Sequence, residues 1–489
     1  MNRDHALALA AAYFDHGGLL ADLTRRVACP TASDAGATPA QLGVYLHEHM
    51  VPALQHLGFD CRIVDNPVAG GPPMLIARRI EDPALPTVLS YGHGDVIDGQ
   101  AGRWAPGLEP WTLTVDGERW YGRGTADNKG QHSINLGGLG AAIAARGGRL
   151  GYNVKLLVEM GEELGSPGLD EACARHGAEL AADLFLASDG PRLAAARPTL
   201  FTGSRGAVNF TLTLRSRDKA YHSGNWGGVL VNPGVVLAHA LACLVDRHGR
   251  LLVPGLLPPP LSPALRAVLT DLPVGGDVHD PALAERWGEP GLNAAEQLFG
   301  WNTLEVLALG AGNPQRPVNA IPPVAQAFCQ LRFVVGTVWQ DLEKCVRAHL
   351  VAHGYGEVEV AVHSGAPATR LEPDDPWVRW CCASLARSSG GGPAAAGDAP
   401  VFLPNLAGTL PNEVFAGRLG LPTLWVPHSY PACNQHAPDE HLLAPLARQG
   451  LQLMAGLYWD LGEPAGAAGA APWPAPGRRR SPAGAAAGA

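Results

Sequence analysis

Acidic and imidazole side chains recur just after strand-like apolar segments of this chain of 489 residues. The set comprises His93, Asp127, Glu163, Asp189 and His436. Carboxylate oxygens combined with imidazole nitrogens form ligand sets that suit zinc or manganese. Asp127 lies at the centre of a glycine-rich turn, and one carboxylate has two oxygens that can bind two cations. These residue types together indicate a metal centre, although for Asp127 alone a helix N-cap is the simpler interpretation.

Two further acids stand beside candidate ligands. Asp95 follows His93 by two residues, where its carboxylate could accept the second ring N–H and fix the orientation of the ring. Glu162 directly precedes Glu163, so one acid can bind a metal while the other faces an open coordination position. A carboxylate at that position would act first as a general base and then as a proton donor.

The elements that must position these side chains follow a strand–helix rhythm. Apolar spacing predicts helices over 4–28, 38–57, 129–146 and 168–178, and strands over 61–64, 73–78, 86–91, 153–158 and 183–187. This alternation predicts an α/β domain with a mostly parallel sheet flanked by helices. Because ligands bind at the carboxyl ends of the strands in such sheets, the candidate ligands should converge on one crevice.

The pattern changes near residue 203 and returns after residue 366. Residues 204–366 predict an inserted α+β domain with strands over 207–215, 303–309, 324–335 and 357–363, and helices over 233–247 and 338–353. Residues 367–461 predict the rest of the first domain, with helices over 375–389, 411–418 and 441–459 and strands over 399–403 and 422–426. The first domain therefore combines 1–203 with 367–461. The Ala-, Gly- and Pro-rich residues 462–489 predict a disordered tail.

Composition limits the expected partners and compartment. Lys+Arg number 36 and Asp+Glu 45, a net charge of −9, so neither nucleic acid nor an anionic membrane is an expected partner. No apolar run approaches the ~20 residues that span a bilayer. The nine cysteines are odd in number and lack framework spacing, which predicts reduced thiols and a cytoplasmic protein.

Five motifs resemble, in their order along the chain, those of the M20 metallopeptidases. They are Gly92-His93-Gly94-Asp95-Val96, Gly124-Thr125-Ala126-Asp127-Asn128-Lys129-Gly130, Glu162-Glu163-Leu164-Gly165-Ser166, Ser188-Asp189 and His436-Ala437-Pro438-Asp439-Glu440. That family includes carnosinase-type dipeptidases, succinyl-diaminopimelate desuccinylases, aminoacylases and glutamate carboxypeptidases. The resemblance covers roughly residues 10–460, including the insertion.

The resemblance implies a role for each residue of the candidate centre. Asp127 would bridge two divalent ions, with Zn²⁺ favoured and Mn²⁺ or Co²⁺ as alternatives. His93 and Asp189 would complete one ion, and Glu163 and His436 the other. Glu162 would be the catalytic base.

The resemblance also implies roles for the insertion as a lid and dimerisation domain. Tyr221-His222-Ser223-Gly224 is similar to a carnosinase-type segment whose histidine enters the active site of the partner subunit and stabilises the oxyanion. It thus implies a homodimer and a catalytic His222. Arg332, Asn319 and the backbone at Gly408 would bind a substrate carboxylate, with Asn319 standing where the family has threonine.

The sequence therefore predicts a two-metal amide hydrolase that cleaves a dipeptide or another small C-terminal amino-acid amide bond. The same residues would serve an N-acyl-amino-acid deacylase, so the substrate is either a small peptide or an N-acyl amino acid. A non-catalytic metal-binding scaffold is the remaining alternative. A missing ligand or base would favour it, and all five ligands and Glu162 are present.

Overall fold

The computed structural model describes residues 2–34, 36–275, 281–389, 399–467 and 469–474. The chain divides into two compact units. Unit 1 comprises Met1–Gly203, Leu371–Pro404 and Pro411–Ala489, and unit 2 comprises Ser204–Arg370 and Asn405–Leu410. The second segment of unit 2 joins the first because the Arg205 backbone N–H and side chain donate to the carbonyls of Leu406 and Ala407, at 3.0 and 2.9 Å.

The first part of unit 1 alternates helices and strands. Its helices are α1 (Arg3–Asp15), α2 (Gly18–Val27), α3 (Pro39–Tyr45), α4 (Val51–His56), α5 (Lys129–Ala145), α6 (Leu169–Arg175) and α7 (Gly177–Leu180). Its strands are β1 (Asp60–Val64), β2 (Met74–Arg79), β3 (Thr87–His93), β4 (Thr114–Asp116), β5 (Arg119–Tyr121), β6 (Asn153–Glu159), β7 (Leu184–Ala187) and β8 (Thr199–Phe201). A π-helix, Leu46–Met50, joins α3 to α4, and a 3-10 turn, Glu162–Leu164, follows β6.

Unit 2 is built on an antiparallel sheet with helices packed on it. Its strands are β9 (Gly206–Arg215), β10 (Tyr221–His222), β11 (Thr303–Gly310), β12 (Ala320–Ile321), β13 (Val324–Phe333) and β14 (Glu359–Ala366). Its helices are α8 (Ser223–Trp226), α9 (Pro233–Leu244), α10 (Pro263–Leu269), α11 (Ala294–Gly300) and α12 (Leu342–Ala352), with 3-10 turns at Pro254–Leu256 and Trp339–Asp341. The sheet order is β11-β13-β9-β14, and β9 alternates buried and half-buried residues as a strand with one face on a core should.

The chain then returns to unit 1. The elements there are α13 (Pro376–Ser388), β15 (Val401–Leu403), a π-helix (Val414–Arg418), β16 (Thr423–Trp425), β17 (His441–Leu443) and α14 (Ala444–Leu461). The main sheet has the order β1-β2-β6-β3-β7-β16-β8-β15. Its central strands β6, β3, β7 and β16 are parallel, so their carboxyl ends meet at one edge. The predicted mixed α/β fold with a mostly parallel sheet flanked by helices is confirmed.

Helices α1, α5 and α14 pack together in the core of unit 1. A Cβ at Gly138 of α5 would lie 2.7 Å from Met454 Cβ and 3.0 Å from the Ala455 backbone nitrogen, both in α14. Glycine at this position therefore allows the two helices to approach closely. Because α5 starts two residues after Asp127, this packing helps to hold the turn that carries the candidate bridging carboxylate.

Several elements differ from the sequence prediction for local reasons. The helix predicted over 4–28 is broken into α1 and α2, because Gly17 adopts a left-handed conformation with φ 78°. Strands β1 and β2 run antiparallel to their neighbours rather than continuing the parallel pattern. The helix predicted over 441–459 begins only at Ala444, because 441–443 pair with β5 as β17.

The start of the tail packs against unit 1. The Trp473 ring lies 5.1 Å from the Trp377 ring in an edge-on contact, and its Nε1–H donates to the Leu461 carbonyl at 3.0 Å. The described residues of 462–474 thus differ from the predicted disordered tail, because one aromatic side chain in a low-complexity segment finds an apolar surface. Residues 475–489 of that prediction lie outside the described residues.

Among the described residues, no helix combines the length and apolar character of a bilayer-spanning segment. All nine cysteines lie within the described ranges, and each is a free thiol.

Candidate metal centre

The candidate ligands lie at the strand ends of unit 1. His93 is the last residue of β3, and Glu162 and Glu163 lie in the 3-10 turn that follows β6. Asp189 comes two residues after the end of β7, and His436 lies in the loop that follows β16. Because these four strands are parallel, side chains far apart in sequence come to one edge of the sheet.

One group of potential ligands surrounds the first oxygen of Asp127. His93 Nε2 lies 3.0 Å from Asp127 Oδ1 and 3.5 Å from Asp189 Oδ2. One potential ligand atom from each of the three residues lies within 4.8 Å of the other two. All three side chains are buried, which is the arrangement of a site built to hold an ion rather than of chance surface charges.

A second group surrounds the other oxygen of the same carboxylate. His436 Nε2 lies 3.1 Å from Asp127 Oδ2 and 3.0 Å from Glu163 Oε2. These three residues also offer ligand atoms that lie within 4.8 Å of one another. Asp127 therefore belongs to both groups, one through each oxygen.

Glu440 holds the turn that presents Asp127. Its buried carboxylate accepts the backbone N–H groups of Gly124, Ala126 and Asp127 at 2.9 to 3.1 Å, and the Arg123 guanidinium at 2.7 Å. Glu440 is the last residue of the fifth sequence motif, but no function was predicted for it. Its place four residues after His436 was the available signal.

The second residue of α5, Gly130, lies so close to the same turn that only glycine fits there. A Cβ at Gly130 would lie 1.9 Å from the Thr125 carbonyl oxygen.

The Gln435 amide also donates to Asp127 Oδ2. This contact was not predicted from the sequence, although the position of Gln435 beside His436 could have suggested it. The peptide bond between Asp127 and Asn128 is cis.

Asp95 contacts both strand ends of the centre. The Nδ1 of His93 lies 3.1 Å from the backbone carbonyl of Asp95 and 3.4 Å from its Oδ1. The carboxylate of Asp95 also accepts the backbone N–H groups of Glu162 and Glu163, at 3.1 and 3.2 Å, and the Ser33 hydroxyl at 2.9 Å. The carboxylate that was predicted to accept the second ring N–H thus lies near it, but the hydrogen bond is to the backbone carbonyl of the same residue. The contact to the glutamate turn was not predicted.

Electrostatics mark this cluster as a set of opposed charges. Hydrogen bonds to Asp127 and Glu163 raise the pKa of His436 to about 10. Although burial opposes it, the nearby carboxylates of Asp127, Asp189 and Asp95 raise the pKa of His93 well above its usual range. Burial raises the pKa of the Glu162 carboxyl, and the negative charges of Asp189 and Asp127 raise it further against the effect of His93.

The residues fit a pair of divalent ions. Asp189 Oδ2 is buried and has no hydrogen-bond partner among the described residues, so a buried oxygen facing His93 is left for a cation. The donors are three carboxylates and two imidazoles, a set suited to zinc or manganese.

The remaining predicted residues lie in unit 2 and form two separate local arrangements. His222 is exposed, and its Nδ1 accepts the Gly224 N–H at 3.1 Å. Asn319 lies beside it, because its carbonyl accepts the Ser223 N–H at 2.9 Å. A neutral His222 ring with Nδ1 as acceptor carries its proton on Nε2.

Arg332 contacts the loop that contains Gly408 and Thr409. Its Nη1 donates to the Thr409 hydroxyl at 2.7 Å, and its Nε donates to Gln330 Oε1 at 2.8 Å. The Thr409 hydroxyl in turn donates to the Arg205 carbonyl at 3.0 Å. Arg332 and the residue after Gly408 are thus brought together, and no hydrogen bond within the described part of the chain joins Asn319 to Arg332.

The family model described as Peptidase family M20/M25/M40 matches residues 89–460. The chain belongs to this family. The match covers all five candidate ligands, and it confirms the family that the motifs predicted.

Several proteins with similar sequences are named as dipeptidases. The Beta-Ala-His dipeptidase of Mus musculus is 38% identical over 189 residues, which cover 38% of this chain and 38% of that protein. A Cys-Gly metallodipeptidase of Candida albicans is 32% identical over 250 residues, which cover 48% of this chain and 50% of that protein. The matched regions thus span half of these relatives' length or less.

One solved structure is similar in fold to this chain over most of its length. It is an M20 family metallo-carboxypeptidase from Sulfolobus solfataricus, with a TM-score of 0.74 and 23% sequence identity. The superposition covers 90% of this chain and 98% of that chain. At this identity the likeness establishes the fold.

Proposed function

We propose that this chain is a two-metal hydrolase of dipeptides. The observation that carries the proposal is the position of Asp127 between two ligand groups, with His93 and Asp189 on one oxygen and Glu163 and His436 on the other. A single carboxylate shared in this way is what a pair of ions roughly 3.5–4 Å apart requires.

Each group of ligands would hold one ion, with Zn²⁺ favoured by the mixture of imidazole and carboxylate. When bound, the ions supply Lewis acidity, which polarises a carbonyl and lowers the pKa of water. Glu162 is positioned through its backbone by Asp95, and its carboxyl is not one of the potential ligands. We assign it the proton transfer: it takes the proton of the attacking water and delivers it to the leaving amine.

The substrate class follows from the names of the relatives and from unit 2. The relatives are named for β-Ala-His and Cys-Gly dipeptides, which favours a dipeptide over an N-acyl amino acid. Arg332 with the Gly408–Thr409 loop would bind the substrate carboxylate, as a guanidinium does in a charge-assisted pair. Asn319, next to His222, would contact the substrate from the same unit.

Unit 2 would act as a lid and dimerisation domain in a homodimer. His222 is exposed and presents a protonated Nε2, which is the donor that a developing oxyanion needs. We propose that it completes the site of the partner subunit. A cytoplasmic location is proposed as well, supported by the nine free thiols.

A substrate panel tests the proposal. Purified protein reconstituted with Zn²⁺ or Mn²⁺ should hydrolyse β-Ala-His or Cys-Gly, chelation should stop the reaction, and metal should restore it. N-acetyl amino acids serve as the comparison set. Hydrolysis of these compounds in preference to every dipeptide would replace the dipeptidase proposal by a deacylase on the same centre.

A further inference from the structure

A second group of metal-binding side chains lies wholly within unit 2. Cys243 is next to the last residue of α9, His349 lies in the last turn of α12, and His353 directly follows α12. One potential ligand atom from each residue lies within 4.8 Å of the other two. Helices α9 and α12 pack against each other, so the three side chains are held by two ordered elements.

The two histidines have the spacing of a helical chelate. Residues four apart lie on the same helix face, and two histidines at this spacing bind zinc in helical metalloprotease motifs. The rings of His349 and His353 lie 4.2 Å apart between centroids. The two rings are thus neighbours, as two ligands of one ion must be.

Hydrogen bonds leave each ring with a free lone pair. His349 Nε2 lies 2.8 Å from the Cys243 carbonyl, and His353 Nδ1 lies 2.8 Å from the His349 carbonyl. Since a carbonyl only accepts, these nitrogens donate, and the other nitrogen of each neutral ring is unprotonated. A backbone carbonyl on the second nitrogen is the usual support of a metal-binding imidazole.

The thiol is partly sheltered and protonated. The Cys243 Sγ–H donates to the Ala240 carbonyl at 3.0 Å. Burial raises the pKa of this thiol, and a cation that binds the sulfur must displace its proton.

We propose that Cys243, His349 and His353 form a binding site for a divalent cation of the zinc class, which prefers thiolate and imidazole. On binding, Cys243 loses its proton to solvent and forms the sulfur–metal bond, while each histidine binds through its unprotonated nitrogen. His353 is exposed, so water can complete a four-coordinate site. The proposal stands on these residues alone and holds whether or not the centre in unit 1 is catalytic.

Cobalt distinguishes this site from the centre in unit 1. The donors at Asp127 are oxygen and nitrogen atoms, whereas a Co²⁺ ion at Cys243 gives a thiolate-to-cobalt charge-transfer band in the near ultraviolet. Metal-free full-length protein titrated with Co²⁺ should develop this band, and Zn²⁺ should remove it by displacement.

Variants assign the band to the three residues. Cys243→Ser should abolish it, and His353→Ala should weaken Co²⁺ binding about 100-fold, since even outer partners of a ligand contribute 10–100-fold. His353 is exposed, so its loss should leave the circular dichroism spectrum unchanged. Cys345→Ser on α12 and Cys433→Ser in unit 1 are matched thiol controls and should keep the band. A wild-type protein without the band, or a band that survives Cys243→Ser, would overturn the proposal.

Discussion

The carboxylate of Asp95 holds the backbone of Glu162, whose N–H donates to Asp95 Oδ1 at 3.1 Å. The other oxygen of Asp95 accepts the N–H of Glu163 at 3.2 Å, and the Asp95 carbonyl faces the ring of His93. A single side chain in the loop after β3, that of Asp95, thus holds the turn after β6. The proposed base and one candidate ligand from each group therefore contact the same residue, Glu162 and Glu163 through its carboxylate and His93 through its backbone carbonyl.

Asp95→Asn should therefore lower kcat with the metals still bound. The amide keeps one acceptor oxygen but presents N–H to the other backbone N–H, so the turn at Glu162 loses a hydrogen bond. We expect kcat to fall about 10–100-fold, with a smaller change in KM. Ser33→Ala removes only the hydroxyl that donates to Asp95 and should have a lesser effect. Kinetics with metal analysis would check this, and an unchanged kcat would contradict it.

Adjacent glutamates should respond differently to the same substitution. Glu162→Gln should retain both ions yet lose about 10²–10⁴ in kcat, because an amide cannot take the proton. Glu163→Gln should lower the affinity for the ion on the His436 side. Metal content and turnover are to be measured on both variants. Full activity of metal-loaded Glu162→Gln would remove the proposed role of this residue.

His222 provides a test of the proposed dimer. His222→Ala should keep its metals and lose about 10²–10³ in kcat, as removal of an oxyanion donor does. In an equal mixture with Glu162→Gln, half of the dimers are mixed, and each has one complete site if His222 acts on the partner. Activity should then return to about a quarter of the wild-type value.

The control for this mixture is proof of exchange. Differently tagged chains that co-purify after mixing show that mixed dimers have formed. If they form and activity stays at the level of the single variants, His222 acts within its own chain or not at all.

Trp473 should contribute to stability and not to turnover. Trp473→Ala removes the ring contact to Trp377 and the hydrogen bond to Leu461, and we expect a loss of about 1–3 kcal/mol in the free energy of unfolding for this half-buried side chain. Trp473→Phe keeps an aromatic ring but lacks the indole N–H, so it should recover part of that loss. Denaturant unfolding measures both. Equal stability of all three proteins would mean that the tail contact is not maintained in solution.

The convergence of most candidate ligands was predictable because the strands that they follow are parallel. His93 and Asp189 each follow an apolar strand, and parallel strands bring their carboxyl ends together. The spacing of such residues along the sequence does not matter once the strands are paired. All five residues of the two groups were named from the sequence, although Asp127 follows β5 of a separate sheet and was found from its glycine-rich motif.

Supporting contacts were less accessible to sequence reasoning. Glu440 reaches the backbone of Asp127 across 313 residues, and its burial depends on the pairing of β17 with β5. The backbone N–H groups of Glu162 and Glu163 donate to the Asp95 carboxylate, and backbone donors carry no sequence signal. Trp473 lay in a segment whose composition favours disorder, and only the tertiary surface around Trp377 orders it.

A metal titration followed by dipeptide hydrolysis tests the shared role of Asp127 most directly. Metal-free Cys243→Ser protein, which lacks the thiolate of unit 2, is titrated with Zn²⁺ while hydrolysis of β-Ala-His or Cys-Gly is measured. If two ions share Asp127, as proposed, activity should rise to a plateau at about two equivalents per chain, and Asp127→Asn should stay inactive at every ratio. A plateau at one equivalent, or hydrolysis by Asp127→Asn, would contradict the two-metal centre.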